Sequence, residues 1–181
     1  MTDHSDSSPP PVLIATDQLR QRVDELAAEI DANIPTDAEL VFVGVLTGAF
    51  VFLADLARAV SRPHRLEWVR VSSYDIENRA GSLKLDSLEP RDVADTHVVL
   101  VDDIIDRGRT LSFLTDWAAG LGARSVRSCT LLNKPSGREV EFAPDWTGFY
   151  VPDVWVVGYG MDSGGRYRSL PYIGTVEQAG G

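Results

Sequence analysis

His97-Val-Val-Leu-Val-Asp102-Asp103-Ile-Ile-Asp106-Arg107-Gly108-Arg109-Thr110-Leu111 is the stretch that decides how this 181-residue chain is read. A β-branched, apolar run ends in two adjacent acids, and a third acid follows on a short turn with Gly108 and Thr110. Beyond the turn, Leu111, Leu114, Ala118 and Leu121 recur at i, i+3, i+7 and i+10, an amphipathic helical stripe. The stretch therefore predicts a buried strand, an acidic turn and a helix start. In an open α/β sheet, ligands bind beyond the carboxyl ends of the strands. A helix start offers free N–H groups and a partial positive charge, which suit phosphate. Acids beside such a cradle call for a divalent cation between them.

The same rhythm extends outward. Thr16 or Asp17 is expected to cap a first helix with Leu19, Val23, Leu26 and Ile30 on one face, closed by Pro35. Leu40 to Val45 reads as a buried strand, Leu46-Thr47-Gly48 as a turn, and Phe50, Leu53, Ala57 and Val60 as a helix. Leu66 to Val71 is a second strand, followed by a polar, glycine-containing segment up to Leu83. Val98 to Val101 is the third strand, with its helix from about Thr110 to Leu121. Val126 to Leu132 and Val154 to Val157 complete the strands. Strands alternating with helices imply a parallel sheet with right-handed crossovers. Residues 1–11 are polar, Ser-rich and end in three prolines, the composition of a disordered leader. Residues 12–176 are expected to form one domain, and 177–181 a flexible tail.

Bulk properties narrow the function. No apolar run approaches the ~20 residues of a membrane helix, and the N-terminus lacks a basic and an apolar signal region. The single cysteine, Cys129, excludes an internal disulfide and sits in an apolar run, as a buried, inert thiol does. A reducing, cytoplasmic setting fits. A net charge of −10 argues against nucleic-acid and anionic-membrane surfaces, both of which need broad basic patches. Any anion site must be local.

Two familiar nucleotide signatures fail. The P-loop needs G-x-x-x-x-G-K-[ST], whereas Gly44 and Gly48 are spaced differently and lead into Ala49-Phe50. The dinucleotide pattern fails because Gly158-Tyr-Gly160 has Ser163 where the third glycine belongs. What remains, two hydrophobic residues, two acids, two hydrophobic residues, Asp, x, Gly, x, Thr, resembles the phosphoribosyl-pyrophosphate (PRPP) motif of the type I phosphoribosyltransferases. Other segments resemble the hypoxanthine-guanine branch, in family order from about Leu40 to Gly174. These are Leu46-Thr47-Gly48-Ala49-Phe50, Val71-Ser72-Ser73-Tyr74, Leu131-Leu132-Asn133-Lys134, and Pro152 to Asp162 together with Tyr167-Arg168-Ser-Leu-Pro-Tyr-Ile-Gly174.

The resemblance implies the type I phosphoribosyltransferase fold: a mostly parallel, twisted sheet flanked by helices. Its core would span about 36–160, with a small hood from the N-terminal segment and about 160–176. It also implies purine salvage, transfer of the 5-phosphoribosyl group from PRPP to hypoxanthine and guanine with release of pyrophosphate, and Mg2+ as cofactor. Asp106 would be the general base. Asp102, Asp103, Asp106, Arg107, Gly108, Arg109 and Thr110 would bind the sugar and its 5-phosphate. Thr47, Gly48, Ser73, Tyr74 and Arg168 would meet the pyrophosphate. Lys134, Trp155, Val156 and Asp162 would hold the purine, with the Lys134 ammonium, a donor only, reading a 6-oxo group. Asp102, Asp103 and Asp162 would serve the metal. Residues 72–83 would form a lid, and a cis peptide would fall at Leu46–Thr47.

Departures from the family pattern are Thr47 for Lys or Arg, Asp75 for Gly, Arg107 for Thr or Ser, and the loose pair Gly164-Gly165. Alternatives are a relative preferring xanthine or guanine, and a non-catalytic PRPP-sensing regulator of the same fold. The partners implied are small molecules, with neither nucleic acid nor membrane, and the family assembles as homodimers or homotetramers.

Overall fold

The computed structural model of the chain describes residues 8–76, 79–85 and 93–177. In chain order the elements are β1 (Val12–Ile14), α1 (Thr16–Asn33), β2 (Leu40–Leu46), α2 (Phe50–Ala59), β3 (Arg65–Ile76), β4 (Arg79–Leu85) and β5 (His97–Ile105). Then follow α3 (Arg109–Gly120), β6 (Ser125–Asn133), a 3-10 turn (Pro135–Gly137), β7 (Trp146–Tyr150), β8 (Trp155–Val157) and β9 (Ile173–Val176). A six-stranded sheet has the order β4-β3-β2-β5-β6-β7. Its members from β3 to β7 run parallel, and β4 is the antiparallel edge. A second, three-stranded sheet has the order β1-β9-β8 and is antiparallel throughout.

The parallel sheet is covered on both sides, which is why its strands read as unbroken apolar runs. Leu40 and Phe42 of β2, with Val99, Val101, Cys129 and Leu131, pack against Leu19, Leu26 and Ile30 of α1 and Phe52, Leu53 and Leu56 of α2. The alternate residues Val41, Val43 and Val45, with Val98 and Leu100, pack against Leu111, Leu114 and Ala118 of α3. Period-two strands thus supply two separate cores. Cys129 lies fully inside the first, and burial pushes its thiol far up from the ordinary range.

Four expectations need correction. The N-cap of α1 is Ala15, not Thr16 or Asp17. The Gln18 side chain accepts the Ala15 amide at 2.9 Å, while the Thr16 hydroxyl donates to the Pro171 carbonyl at 2.9 Å. The strand near Val154 to Val157 is β8, and it pairs with β9 in the small sheet rather than extending the large one. The fifth parallel strand is instead β7, whose Trp-Thr-Gly-Phe-Tyr composition suits a half-exposed edge and carries no apolar run. The second strand does not end at Val71. β3 continues to Ile76 and returns as β4, with Val71 opposite Leu85 and Tyr74 opposite Ser82. A polar hairpin at a sheet edge needs no apolar face, so hydrophobicity does not reveal it. The lid expected over 72–83 is therefore this hairpin, with 77 and 78 outside the described residues. Residues 1–7 of the expected leader and 178–181 of the tail lie outside them too. Among the described residues no helix is long and apolar enough to cross a membrane.

Candidate active site

The carboxyl end of β5 is the centre of the site. Asp102 is buried, and its Oδ1 accepts the Asp103 amide at 3.0 Å. Burial pushes the Asp102 carboxyl well above the usual carboxylate range, and the adjacent Asp103 carboxylate adds to this; burial raises Asp103 as well. Two adjacent carboxyls at one strand end, that of Asp102 buried, favour holding a proton or gaining a cation. The turn after β2 closes over them. A Cβ at Gly48 would stand 1.8 Å from Oδ2 of Asp103, so only glycine allows this approach. The preceding Leu46–Thr47 peptide is cis, at the position the resemblance implies.

Past Ile105 the chain turns through Asp106 and Arg107 to Gly108, which has φ +83° and caps α3. No side chain caps this helix start, and the first amides of a helix have no partner within it. Arg107 and Arg109 flank this cradle, but both are engaged by Glu139: Arg107 Nη1 at 3.1 Å and Arg109 through Nη2. Asp106 sends its carboxylate toward the neighbouring β6 end. Its Oδ1 is buried and has no hydrogen-bond partner, and its Oδ2 lies 3.9 Å from Lys134 Nζ.

Lys134 follows β6, and its amide donates to the Ile105 carbonyl at 2.9 Å, which brings the two strand ends together. Only 13% of its side chain is exposed, and Nζ contacts Asp153 Oδ1 at 2.7 Å. Trp155 on β8 is 44% exposed while Val156 is buried. On the following loop, Arg168 Nη2 meets Asp162 Oδ1 at 2.6 Å, and Arg168 Nη1 donates to the Gly160 carbonyl at 2.6 Å. Asp162 Oδ2 accepts the Gly165 amide at 2.7 Å.

These groups share one cleft of about 260 Å³. Gly48, Asp103, Asp106, Lys134, Trp155, Val156, Asp162 and Arg168 all line it, so eight residues singled out from the sequence converge. Asp102 precedes Asp103 on β5 and is buried, and Arg107, Gly108, Arg109 and Thr110 form the adjoining turn and helix start. Thr47 is exposed beside Gly48. Ser73 and Tyr74 sit on β3 opposite Leu83 and Ser82, and their side chains are outside the described residues. Three contributors escaped sequence reasoning: Asp153, Glu139 and Arg138. Each lies in a loop, and a charged loop residue carries no periodic signal.

Among the described residues, no three His, Cys, Asp or Glu side chains are grouped to hold a metal ion by themselves. The donor set fits Mg2+ in another way. That ion keeps much of its water and is commonly bound by one or two carboxylates plus substrate oxygens. Asp102 and Asp103 would supply such carboxylates.

Comparison with known proteins agrees with this fold. The phosphoribosyl transferase domain family matches residues 15–164. The hypoxanthine-guanine phosphoribosyltransferase of Bacillus subtilis is 38% identical over 169 residues, covering 93% of both chains. A bifunctional TilS/HprT protein of Listeria monocytogenes is 42% identical over 92% of this chain, which spans only 26% of that longer protein. The crystal structure of a hypoxanthine-guanine phosphoribosyltransferase from Bacillus anthracis superposes with a TM-score of 0.86 at 36% identity, covering 93% of this chain and 98% of that one.

Proposed function

This chain belongs to the hypoxanthine-guanine phosphoribosyltransferase family, and on that footing we propose that it transfers the 5-phosphoribosyl group of PRPP to hypoxanthine and guanine in purine salvage. A bond forms between a purine imidazole nitrogen and the anomeric carbon as the bond to pyrophosphate breaks. The transition state carries oxocarbenium character, as in glycoside cleavage. The observation that carries the reading is the convergence of Asp106 and the Lys134 ammonium in one cleft at adjoining strand ends, with Asp106 Oδ2 3.9 Å from Lys134 Nζ. Asp106 takes the proton that the purine nitrogen loses.

Lys134 offers donors only, which match the 6-oxo group of hypoxanthine and guanine and mismatch the 6-amino group of adenine. Trp155 stacks on the base, and the Val156 main chain meets its edge. The open amides of α3, with Thr110, receive the 5-phosphate, and Arg107 and Arg109 add charge at its rim. Asp102 and Asp103 hold the ribose hydroxyls. Thr47, Gly48, Ser73, Tyr74 and Arg168 bind the pyrophosphate, a guanidinium being well shaped for it. Asp102, Asp103 and Asp162 would hold Mg2+ through substrate oxygens and water, and the ion offsets charge on the leaving pyrophosphate. The protein works in the cytoplasm on small molecules, as a homodimer or homotetramer, with residues 12–176 as one domain.

The test mixes protein, Mg2+ and PRPP with hypoxanthine, guanine, xanthine or adenine and follows nucleotide absorbance. Hypoxanthine and guanine should turn over, and adenine should be at least about 100-fold slower. Lys134→Ala should raise KM for the base and spare PRPP. Faster turnover of adenine would overturn the role of Lys134, and no turnover with any base would overturn the reaction.

A further inference from the structure

Asp106 raises a question of mechanics. Its Oδ1 makes no hydrogen bond, and the approach of Lys134 to Oδ2, at 3.9 Å, is longer than one. The carboxylate is held only by that long ion pair and by the packing of Oδ1 against Gly137, so its placement leans on its main chain. That main chain is gripped by the loop that follows β6. Arg138, just after the 3-10 turn, donates from Nε to the Asp106 carbonyl at 2.9 Å. Its Nη2 donates to Asn133 Oδ1 at 2.7 Å, and its Nη1 to the Phe142 carbonyl. The three acceptors lie on three segments: the acidic turn after β5, the end of β6 next to Lys134, and the loop before β7. The following residues continue the grip, since the Glu139 and Val140 amides donate to the Arg107 carbonyl at 3.0 and 3.1 Å. The arginine stem also backs the cradle: a Cβ at Gly108 would fall 2.9 Å from Arg138 Cδ.

We propose that Arg138 is a positioning residue, whose guanidinium sets the Asp106 main chain in register with the base-reading end of β6. The proposal rests on the reading of Asp106 as proton acceptor. A planar guanidinium presents several N–H donors in fixed directions and satisfies three acceptors at once, whereas a lysine ammonium is a compact group on a flexible stem. Loss of the guanidinium releases the Asp106 carbonyl, and the carboxylate drifts with it. A misplacement of about 1 Å at a reacting group costs on the order of 100-fold in rate.

The experiment compares Arg138→Ala and Arg138→Lys with the wild type in steady-state transfer to hypoxanthine, alongside melting temperatures. Both variants should lose about 10- to 100-fold in kcat while KM for PRPP and for hypoxanthine stays roughly unchanged. Added guanidinium ion should restore part of the kcat of Arg138→Ala and leave the wild type unimproved. If Arg138→Ala does not fold, Arg138→Lys is read by the same criterion. Unchanged kcat in a folded variant, or a raised KM with normal kcat, would overturn the positioning role and leave the reaction intact. A wild type that makes no nucleotide would overturn the functional reading, and this role with it.

Discussion

Asp106 and Lys134 show how little separates a structural from a chemical side chain at the residue scale. Both lie at strand ends, both carry charge, and their charged atoms are 3.9 Å apart. What distinguishes Asp106 is a carboxylate that lines the cleft while no hydrogen bond from the chain ties its Oδ1. Asp106→Asn keeps the shape and removes the proton acceptor. It should lower kcat by about 100- to 10,000-fold, the range of general-base contributions, and change KM for PRPP little. Steady-state kinetics decide the matter: a large rise in KM with normal kcat would mean that Asp106 only supports the binding loop. Cys129 illustrates the opposite case. Fully buried, with its thiol pushed far up by burial, it is core and nothing more.

At the scale of elements, the important unit is the turn after β5 and the loop that straps it down. The strap carries Glu139, which occupies both Arg107 and Arg109. Arg107 is the residue that departs from the family's usual Thr or Ser. The two cations beside the start of α3, where we propose that the 5-phosphate binds, are thus paired within the chain itself. Glu139→Gln removes that competitor and keeps the amide that donates to the Arg107 carbonyl. PRPP should then bind about two- to fivefold more tightly, the modest gain that exposed ion pairs permit. The KM for PRPP should also rise more steeply with salt than in the wild type. An unchanged KM across ionic strengths would show that the arginines do not face the phosphate.

At the scale of the molecule, the cleft is assembled from pieces far apart in the chain. Gly48 comes from the turn after β2, Asp103 from β5, Lys134 from the end of β6, Trp155 from the small sheet and Arg168 from the loop beyond it. A ligand that touches several of them binds the native state alone, so it stabilises the whole fold. PRPP with Mg2+ at about 100 times its Kd should add roughly 2.7 kcal/mol. For a chain of this size that corresponds to about 5–10 °C in Tm. Thermal melts with and without a chelator check this. Chelation should remove most of the shift, and a shift that survives it would remove the cation from the binding step.

The sequence alone determined the strand, acidic turn and helix of residues 97–121, because each is written in a short local period. It also placed eight of the cleft's lining residues, through motifs that are contiguous in the chain. Residues 154–157 were legible as a strand but not as a member of the second sheet. β7 was not legible, and neither were the extension of β3 past Val71 and its pairing with β4, since a polar sheet edge needs no apolar run. Only the tertiary structure decided that Glu139 neutralises the arginines and that Arg138 ties three segments together. The reason is physical: hydrophobic periodicity is set by near neighbours, whereas strand partners and the acceptors of a guanidinium are chosen across distances the chain closes only on folding.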